Sequence, residues 1–375
     1  MRRTTFLKGD PADEGDRHTQ PVCSLPHLGP NTGFSTGSKF PGAPMCGTQD
    51  MVKCRVCGSP NITLTGIAGY YSDLVLPVYD CRHCLCRFTQ HDERTYDTLH
   101  ADSDSYYASY RDLADTCKQL FEHRDVQALK AELSQASKYK FVIEEVERGG
   151  AGQKILEVGC SRGYLASYFL LTGHDLIAAD VSPTAIEAAR AAFGGTFVLT
   201  DSRLIPERAP YDLIYHVGTI GCVGDPIGLT RRMLAMLKPG GALLFNAPNR
   251  DSLWFRGQLW IDSAPPPDLV TLFPPGFWAK EFAEVACVEE HVEMCPADRG
   301  VTIGVGKLLR RQWKPPAPVP LGYFRLSATQ GGGIGERLLL LMEGGARKTG
   351  RVTGLSRFAP KQPYEFGLLV KMIRK

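Results

Sequence analysis

Two short regions of this 375-residue chain combine residue types and spacings that can bind a ligand. The first is ILEVGCSRGY, in which Glu157 comes two positions before Gly159 and Gly163 follows four positions later. Apolar residues lead into Glu157, and the apolar run 165–171 follows the turn. This order predicts a buried parallel strand that turns sharply into a helix. The glycines leave the backbone bare where a ligand can approach.

The spacing of this turn indicates which ligand fits it. A dinucleotide site typically uses G-x-G-x-x-G, whereas this turn reads G-x-x-x-G with a carboxylate ahead of it. A fixed anion repels a pyrophosphate but suits a ligand with an ammonium, a sulfonium and no phosphate. We therefore predict S-adenosylmethionine as the ligand. The predicted contacts in and beside the turn are Glu157, Gly159, Cys160, Ser161, Gly163 and Tyr164.

Four further strands follow the turn, and two of them end in acidic residues. DLIAADVSP ends a strand in Asp180, 17 residues past Gly163, where a carboxylate can accept both ribose hydroxyls, with Val181 beside it. TFVLTDS ends the next in Asp201, which we expect near the adenine with Ser202. YDLIYHV and LKPGGALLFNAPN read as two more strands. Each acid can instead cap the next helix, but four such signals in register favour the cofactor site.

The second region contains two C-x-x-C pairs. Cys54 and Cys57 lie in KCRVCGS, and Cys81 and Cys84 lie in YDCRHCLCRF, with 23 residues between the pairs. Each pair can form a tight knuckle that directs both thiolates at one ion, and four thiolates close a tetrahedral site without a position for water. We therefore predict a structural Zn²⁺ ion. A rubredoxin-like iron site and unmetallated thiols are the alternatives.

The cellular compartment bears on these cysteines, because twelve cysteines can also form disulfides. No stretch is long and apolar enough to span a bilayer, and the N-terminus has basic residues without the apolar core of a signal peptide. We therefore expect a cytoplasmic chain in which paired cysteines bind metal. We interpret His83 and Cys86 as bystanders next to a knuckle.

Length and composition suggest how the chain is divided. The chain is 43% hydrophobic and long enough for a full α/β domain plus a small extra module. Residues 1–50 are rich in Gly, Pro, Ser and Thr and have no sustained period, so they cannot bury enough surface to offset chain entropy. We expect a disordered tail there, a zinc ribbon at 51–92, a helical linker or cap at 93–150 and the main domain at 151–375.

Charge is distributed unevenly along the chain. The whole chain has a formal charge of +3, yet residues 307–375 contain fourteen Lys and Arg and three Glu, about +11, which leaves about −8 elsewhere. A solvated basic surface accounts for this stretch. The alternative is a patch that attracts an anionic substrate, a carrier protein, a nucleic acid or a lipid headgroup.

The segment before the glycine turn is predicted to be helical. Apolar positions recur at helical spacing over residues 104–147, as in LADTCKQLF and SKYKFVIEEVE. Tyr106, Tyr107 and Tyr110 lie at its start. Such aromatic residues usually pack in a core, and the alternative is that one phenol meets the methionine end of the cofactor.

The order of these parts resembles a known family. A C-x-x-C-G-S knuckle, a second C-x-x-C, a YY segment, the glycine turn and PNRDSLWFRGQLWIDSAPPPDLVTLF after the fifth strand are similar to class I S-adenosylmethionine-dependent methyltransferases with an N-terminal zinc ribbon. The resemblance covers about residue 54 to the end. It implies an α/β fold with a Rossmann-like seven-stranded sheet in the order 3-2-1-4-5-7-6, strand 7 antiparallel, and an insertion at about 297–362.

The chain departs from this family at two histidines that would serve as general bases. Relatives read Leu-Glu-His-Val and Pro-Pro-x-His-Leu, where this chain reads IGCV at 220–223 and PPDLV at 266–270. Methyl transfer tolerates this loss, because the sulfonium is already activated and in-line alignment with exclusion of water supplies much of the acceleration. His216, at the end of the fourth strand, and Asp268 are the remaining candidate bases. His216 can instead merely line the cofactor pocket, and Asp225 reads as a turn or helix cap.

The resemblance implies methyl transfer to the O, N or C atom of a small molecule, in secondary metabolism, and the basic C-terminal stretch leaves open an anionic or carrier-bound acceptor. Two other functions stay open. One is an RNA methyltransferase whose ribbon and basic C-terminal region grip phosphates, although the near-neutral charge of the chain argues against nucleic acid. The other is a non-catalytic S-adenosylmethionine-binding protein, which the missing histidines would suit.

Overall fold

A computed structural model describes residues 52–70, 74–90, 108–200, 210–253, 258–261, 263–294 and 363–375. Every described residue lies within Met51–Lys375. The predicted tail at 1–50 and the predicted insertion at 297–362 lie outside the described residues. No helix in the described part of the chain is both long and apolar enough to cross a membrane.

Strands and helices alternate through the middle of the chain, as expected for an α/β fold. The strands are β1 (Ile62–Ala68), β2 (Leu76–Cys81), β3 (Arg87–Thr89), β4 (Lys154–Val158), β5 (Asp175–Asp180), β6 (Thr196–Leu199), β7 (Tyr211–His216), β8 (Leu237–Ala247), β9 (Thr271–Leu272), β10 (Ala286–Met294) and β11 (Pro363–Arg374). The helices are α1 (Ala108–Glu122), α2 (Val126–Leu133), α3 (Ser137–Arg148), α4 (Tyr164–Leu171), α5 (Pro183–Phe193), α6 (Pro226–Met236) and α7 (Phe277–Phe282).

A seven-stranded sheet forms the centre of the described fold. Its strand order is β10-β11-β8-β7-β4-β5-β6. The strands β6, β5, β4, β7 and β8 are mutually parallel, while β11 runs antiparallel to both β8 and β10. Numbered by their place in the chain, these strands give the order 3-2-1-4-5-7-6 with strand 7 antiparallel. The fold class predicted from the sequence is confirmed.

Each face of this sheet is covered by a different set of elements. One face, which we call the α4 face, carries Ile155 and Leu213 and packs against buried side chains of α1 to α5. The other, the α6 face, carries Leu156 and Ile214 and packs against α6, α7 and Phe88 of β3. Because side chains alternate along a strand, neighbouring residues of β4 or β7 face opposite sets of elements.

A second sheet contains the cysteine pairs. Its order is β1-β2-β3-β9, so three strands come from the predicted ribbon and the fourth comes from the segment that follows β8. The pairing of β3 with β9 joins Arg87 to Leu272 and Phe88 to Thr271. The division of the chain at residues 92 and 150 stays a prediction, and the ribbon sheet is built partly from residues beyond that division.

Two helices that begin at the carboxyl edge of the large sheet start with local sequence signals. Ser182 caps α5 by accepting a hydrogen bond from the amide of Ala185, and Pro183 follows it. Asp225 caps α6 in the same way, with 2.8 Å between its Oδ1 and the amide nitrogen of Gly228. Asp225 is therefore a helix cap, one of the two structural roles that the sequence suggested for it.

Candidate active site

The predicted glycine turn joins β4 to α4. Gly159 has a φ of +79° and Gly163 a φ of +76°, a backbone region that residues with a side chain rarely adopt. A Cβ atom at Gly159 would lie 2.3 Å from Thr219 Oγ1, and one at Gly163 would lie 2.8 Å from Phe197 Cε1. The amide of Gly159 donates to the Ala179 carbonyl at 2.8 Å, which holds the turn against β5. Glycine is therefore required at both positions, because the φ angle is positive and because a Cβ atom would clash with a neighbouring side chain.

Glu157 lies on the α4 face immediately before this turn. Its side chain is buried, and its Oε2 atom has no hydrogen-bond partner among the described residues. In the sheet register Glu157 is opposite Tyr215, whose buried hydroxyl likewise has no partner in the described part of the chain. Burial raises the pKa of Glu157 to about 8, and the Asp180 carboxyl adds to this rise. The nearby Tyr215 hydroxyl opposes the rise, although it does not meet hydrogen-bond geometry.

Asp180, at the end of β5, is also buried but is well supplied with donors. Its Oδ2 accepts from the amide of Ser161 at 2.7 Å, and its Oδ1 accepts from the amide of Ser182 at 2.9 Å. Burial raises the pKa of Asp180, while these amides favour its ionised form. Asp180 therefore fixes the turn in addition to any contact with a ribose, a role that the sequence did not indicate.

The other predicted residues in and beside the turn are buried or half-buried. Cys160 is buried, and its Sγ is 3.6 Å from the Ser161 carbonyl. Ser161 has a φ of +49°, and its buried Oγ finds no partner within the described ranges. Tyr164 is buried at the start of α4, and Val181 is half-buried beyond Asp180. Asp201 and Ser202 lie outside the described residues.

The side chain of His216 lies on the opposite face of the large sheet from Glu157. His216 is register-paired with Phe245, which packs on the α6 face, and the two rings stack at 4.8 Å. It is fully buried, and burial lowers its pKa to about 3. Because Tyr215 faces Glu157, the next residue in β7 must face the opposite side of the sheet. This packing does not support His216 as a base or cofactor contact, and that role stays a prediction.

The second candidate base, Asp268, lies beside the loop that follows β7. The residues after it, Val270 and Thr271, donate their amides to the Gly221 carbonyl at 2.8 and 3.0 Å. Asp268 is buried, and burial raises its pKa to about 7. Cys222 of the same loop is also buried, which raises the pKa of its thiol to about 12. Cys222 is therefore unsuited to act as a thiolate nucleophile.

A cluster of aromatic residues and one lysine lies against the glycine turn, and it includes Tyr110 and Tyr164, which the sequence singled out. The Tyr110 ring stacks on the Tyr164 ring at 5.9 Å, and the Tyr139 and Tyr164 hydroxyl oxygens are 3.2 Å apart. The amine of Lys138 lies 6.0 Å from the centre of the Tyr110 ring and 5.0 Å from that of the Tyr139 ring. Tyr106 and Tyr107 lie outside the described residues. Lys138 was missed because a single cation at a helix start has no periodic signal.

The two C-x-x-C pairs come together at the other sheet. The Sγ atoms of Cys54 and Cys84 are 3.6 Å apart, as are those of Cys57 and Cys81, and all four lie within 4.8 Å of one another. Sulfur atoms about 2.3 Å from a central zinc at tetrahedral angles would be about 3.8 Å apart. The four-cysteine cluster therefore fits a zinc ion, with no open position for water.

Each knuckle also has the local geometry that such a site needs. Gly58 has a φ of +69°, and its amide donates to the Cys54 carbonyl at 2.8 Å. Leu85 takes the corresponding place in the second knuckle, with a φ of +62° and an amide bond to the Cys81 carbonyl. The amide of Cys84 points at Cys81 Sγ from 3.5 Å. His83 and Cys86 are not among the four clustered ligands.

These features define the class of protein. The strand order with one antiparallel strand, and a glycine turn between two strand-end carboxylates at the carboxyl edge of the sheet, are the features of a class I S-adenosylmethionine-dependent methyltransferase domain. Residues 119–290 match the family described as "Methyltransferase domain". In fold and in the matched residues, this region of the chain therefore resembles a class I methyltransferase domain.

The chain is also similar to named methyltransferases. Ubiquinone biosynthesis O-methyltransferase from Aliivibrio fischeri is 32% identical over 118 residues, which are 30% of this chain and 50% of the relative. The protein of the same name from Bordetella avium is 27% identical over 116 residues, covering 29% and 48%. The chain thus spans about half the length of the relatives that it matches.

Solved methyltransferase structures resemble the fold at low identity. Plantazolicin methyltransferase, in complex with a substrate analogue and S-adenosylhomocysteine, is 18% identical with a TM-score of 0.39, covering 76% of this chain and 100% of that chain. Magnesium protoporphyrin IX methyltransferase from Synechocystis is 13% identical with a TM-score of 0.38, covering 54% and 93%.

Proposed function

We propose that the protein transfers a methyl group from S-adenosylmethionine to a small-molecule acceptor. The observation that carries this proposal is the buried Glu157 carboxyl, whose Oε2 has no partner among the described residues, beside a turn that only glycine can form. An unpaired buried carboxyl is costly, and a cationic ligand would offset that cost. S-adenosylmethionine, when bound, supplies both the cation and an activated methyl group for in-line displacement.

Several residues of the chain would hold the donor. Glu157 would compensate its positive charge, and the two turn glycines would let its body lie against the backbone. Asp180 retains acceptor capacity on its carboxylate oxygens after binding two amides, so it can also accept a ribose hydroxyl. Asp201 and Ser202 stay predicted contacts to the adenine.

We propose Asp268 as the group that removes a proton from the acceptor. Its burial raises its pKa to about 7, so the carboxylate and the acid are both populated near neutral pH. Its chain neighbours are hydrogen-bonded to the loop after β7, at the carboxyl edge of the sheet where class I acceptors approach. When the acceptor loses its proton to Asp268, its lone pair is free to attack the methyl carbon.

The acceptor is proposed to be a small organic molecule, with its attacking atom O, N or C. The curated relatives support this size class, because they are named as O-methyltransferases of ubiquinone biosynthesis. A role in secondary metabolism, an anionic or carrier-bound acceptor and a cytoplasmic location are further parts of this proposal. A structural Zn²⁺ ion held by Cys54, Cys57, Cys81 and Cys84 completes it.

Calorimetry with S-adenosylhomocysteine tests the donor site directly. The purified full chain should bind this product, and cell extracts supplied with radiolabelled S-adenosylmethionine should yield a labelled small molecule in its presence. Asp268→Asn should then lower the rate with that acceptor by about 100-fold while leaving S-adenosylhomocysteine binding unchanged. Absence of any binding would refute the proposal, whereas binding without turnover would point to the non-catalytic alternative.

A further inference from the structure

Lys138 is a half-buried cation at the edge of the site that no step described so far uses. It is the second residue of α3, and its amine lies over the faces of two tyrosine rings, 5.0 Å from Tyr139 and 6.0 Å from Tyr110. Burial lowers its pKa to about 8, and no carboxylate in the described part of the chain opposes that effect. Aromatic faces stabilise an ammonium by only about 0.5–2 kcal/mol, so they do not replace a counter-ion.

The surroundings of Lys138 belong to the carboxyl edge of the large sheet. Ser137, next to it, donates from its hydroxyl to Glu293 Oε2 at 2.8 Å, and Glu293 is near the end of β10 that pairs with the start of β11. On the other side, Tyr110 stacks on Tyr164, the first residue after the glycine turn. Lys138 therefore lies between the donor turn and the antiparallel strands, where donor and acceptor must meet.

The charges that shift the pKa values of Tyr139 and Tyr110 agree with this position of Lys138. Burial raises the pKa of Tyr139, and the charge of Glu157 adds to the rise. Burial likewise raises the pKa of Tyr110, with contributions from Cys222 and Tyr364. The two rings under the Lys138 amine are thus within electrostatic range of the carboxylate of the donor turn, of the loop after β7 and of β11.

We infer that Lys138 binds a carboxylate group of one of the two reactants. This inference rests on the proposed function. A single ammonium over apolar ring faces matches one negative charge, whereas a phosphate would bring a second charge and more acceptor oxygens than one lysine satisfies. The carboxylate belongs either to the amino-acid end of the donor or to the acceptor, and binding experiments separate these two sources.

The donor source is tested with two ligands that differ only by the carboxylate. S-adenosylhomocysteine and its decarboxylated analogue are titrated into the full chain by calorimetry. If the donor supplies the carboxylate, the unmodified protein prefers S-adenosylhomocysteine by about tenfold or more. Lys138→Met removes that preference, and Lys138→Arg retains most of it.

The acceptor source is tested with benzoate and benzamide, which share shape but differ in charge. Binding of each to the protein saturated with S-adenosylhomocysteine is measured by saturation-transfer NMR. If the acceptor supplies the carboxylate, the protein prefers benzoate by about tenfold or more and Lys138→Met removes the preference.

Lys140→Met is the matched control in both experiments. It makes the same change two residues further along α3, at an exposed amine that lies 3.7 Å from Glu144 Oε1. The control should keep every preference of the unmodified protein, and thermal melting verifies that each variant is folded. The inference is overturned if neither ligand pair shows a carboxylate preference, or if the preference survives in Lys138→Met. Failure of both adenosyl ligands to bind would count against the proposed function, and the benzoate pair, measured on the ligand-free protein, would then decide the role of Lys138.

Discussion

The four-cysteine cluster and the glycine turn each present a ligand site with few residues, but they do so in opposite ways. All four cysteines lie within two knuckles, and their sulfur atoms already have nearly tetrahedral separations. The glycine turn takes its carboxyls from two different strands and leaves a buried Glu157 oxygen without a partner among the described residues. The four-cysteine cluster is a closed site that suits a structural metal, whereas the glycine turn keeps a buried polar atom that a dissociable ligand can contact.

Hydrogen bonds join the ribbon to the segment that follows β8, and through it to the loop after β7. Thr89, beside the second knuckle, donates its amide to the Val270 carbonyl at 3.0 Å, and Val270 in turn donates to Gly221 after β7. Arg87 bridges Asp80, with both bonds at 2.8 Å, and the Leu259 carbonyl at 3.1 Å. These contacts reach the segment that carries Asp268 but not the turn that carries Glu157. The metal should therefore support the acceptor side of the site and leave the donor side unaffected.

Removing a metal ligand is expected to have the largest effect. Cys81→Ser should lower the bound zinc from about one ion per chain to nearly none and destabilise the fold by several kcal/mol, because metal binding contributes directly to folding. Amide hydrogen exchange should accelerate at Val270 and Thr271. Affinity for S-adenosylhomocysteine should change by less than about threefold.

Cys86→Ala is the control for this experiment, since Cys86 is buried beside the knuckle but outside the cluster. It should keep its zinc, as measured by elemental analysis. Unchanged exchange at Val270 and Thr271 after zinc loss would contradict the link between metal and acceptor segment.

Changing Glu157 should have the opposite effects, namely weaker binding of S-adenosylhomocysteine without loss of stability. Glu157→Gln keeps the shape but removes the charge, and we expect affinity for S-adenosylhomocysteine to fall about 100-fold, or about 3 kcal/mol. Melting temperature should stay equal or rise, because a costly buried carboxyl is removed. Asp175→Asn, at the exposed start of β5, is the control and should bind normally. Full affinity in Glu157→Gln would leave the proposed donor site without support.

The pH dependence of donor binding follows from the same carboxyl. The pKa of Glu157 in the free protein is raised to about 8, so below that pH the acid is mostly protonated, and a cationic ligand must bind the ionised form. Affinity should therefore rise with pH, by up to about tenfold per unit between about pH 6 and 7.5. Calorimetry across this range should give a flat profile in Glu157→Gln. A flat profile in the unmodified protein would show that Glu157 does not bind the positive charge of the ligand.

The smallest effect is expected at His216. His216→Phe should change the rate of methyl transfer by less than about threefold, because the residue packs on the α6 face against Phe245. Both ring nitrogens are buried without partners among the described residues, so a phenylalanine should stabilise the fold by about 1 kcal/mol. Thermal melting and an activity assay check these two outcomes. A large loss of rate would restore His216 as a candidate base.

Some details of the site could be read from short stretches of sequence. The spacing of Gly159 and Gly163 predicted a turn that only glycine allows, and both glycines have positive φ values. Asp225 was interpreted as a turn or helix cap, and it caps α6. Each of these features is decided by residues within a few positions of one another.

Other details depended on contacts between distant segments. Asp180 was expected to serve a ribose, but it also binds the amide of Ser161 because β4 and β5 lie side by side. His216 was expected near the donor, but in β7 a shift of one residue moves a side chain to the other face of the sheet. Lys138 lies near the glycine turn because α1, α3 and α4 pack against one another.

The sequence by itself determined the strand-turn-helix around Gly159 and the two cysteine knuckles, while the seven-strand order came from the resemblance to a known family. Tertiary structure decided that Glu157 keeps an oxygen without a partner in the described part of the chain, that His216 is sealed in the opposite face, and that β9 closes the ribbon sheet. The physical reason is how far apart in the sequence the interacting residues lie. Backbone conformation and ligand spacing are set by nearby residues, whereas burial, desolvation and the supply of hydrogen-bond partners are set by segments that meet only after folding.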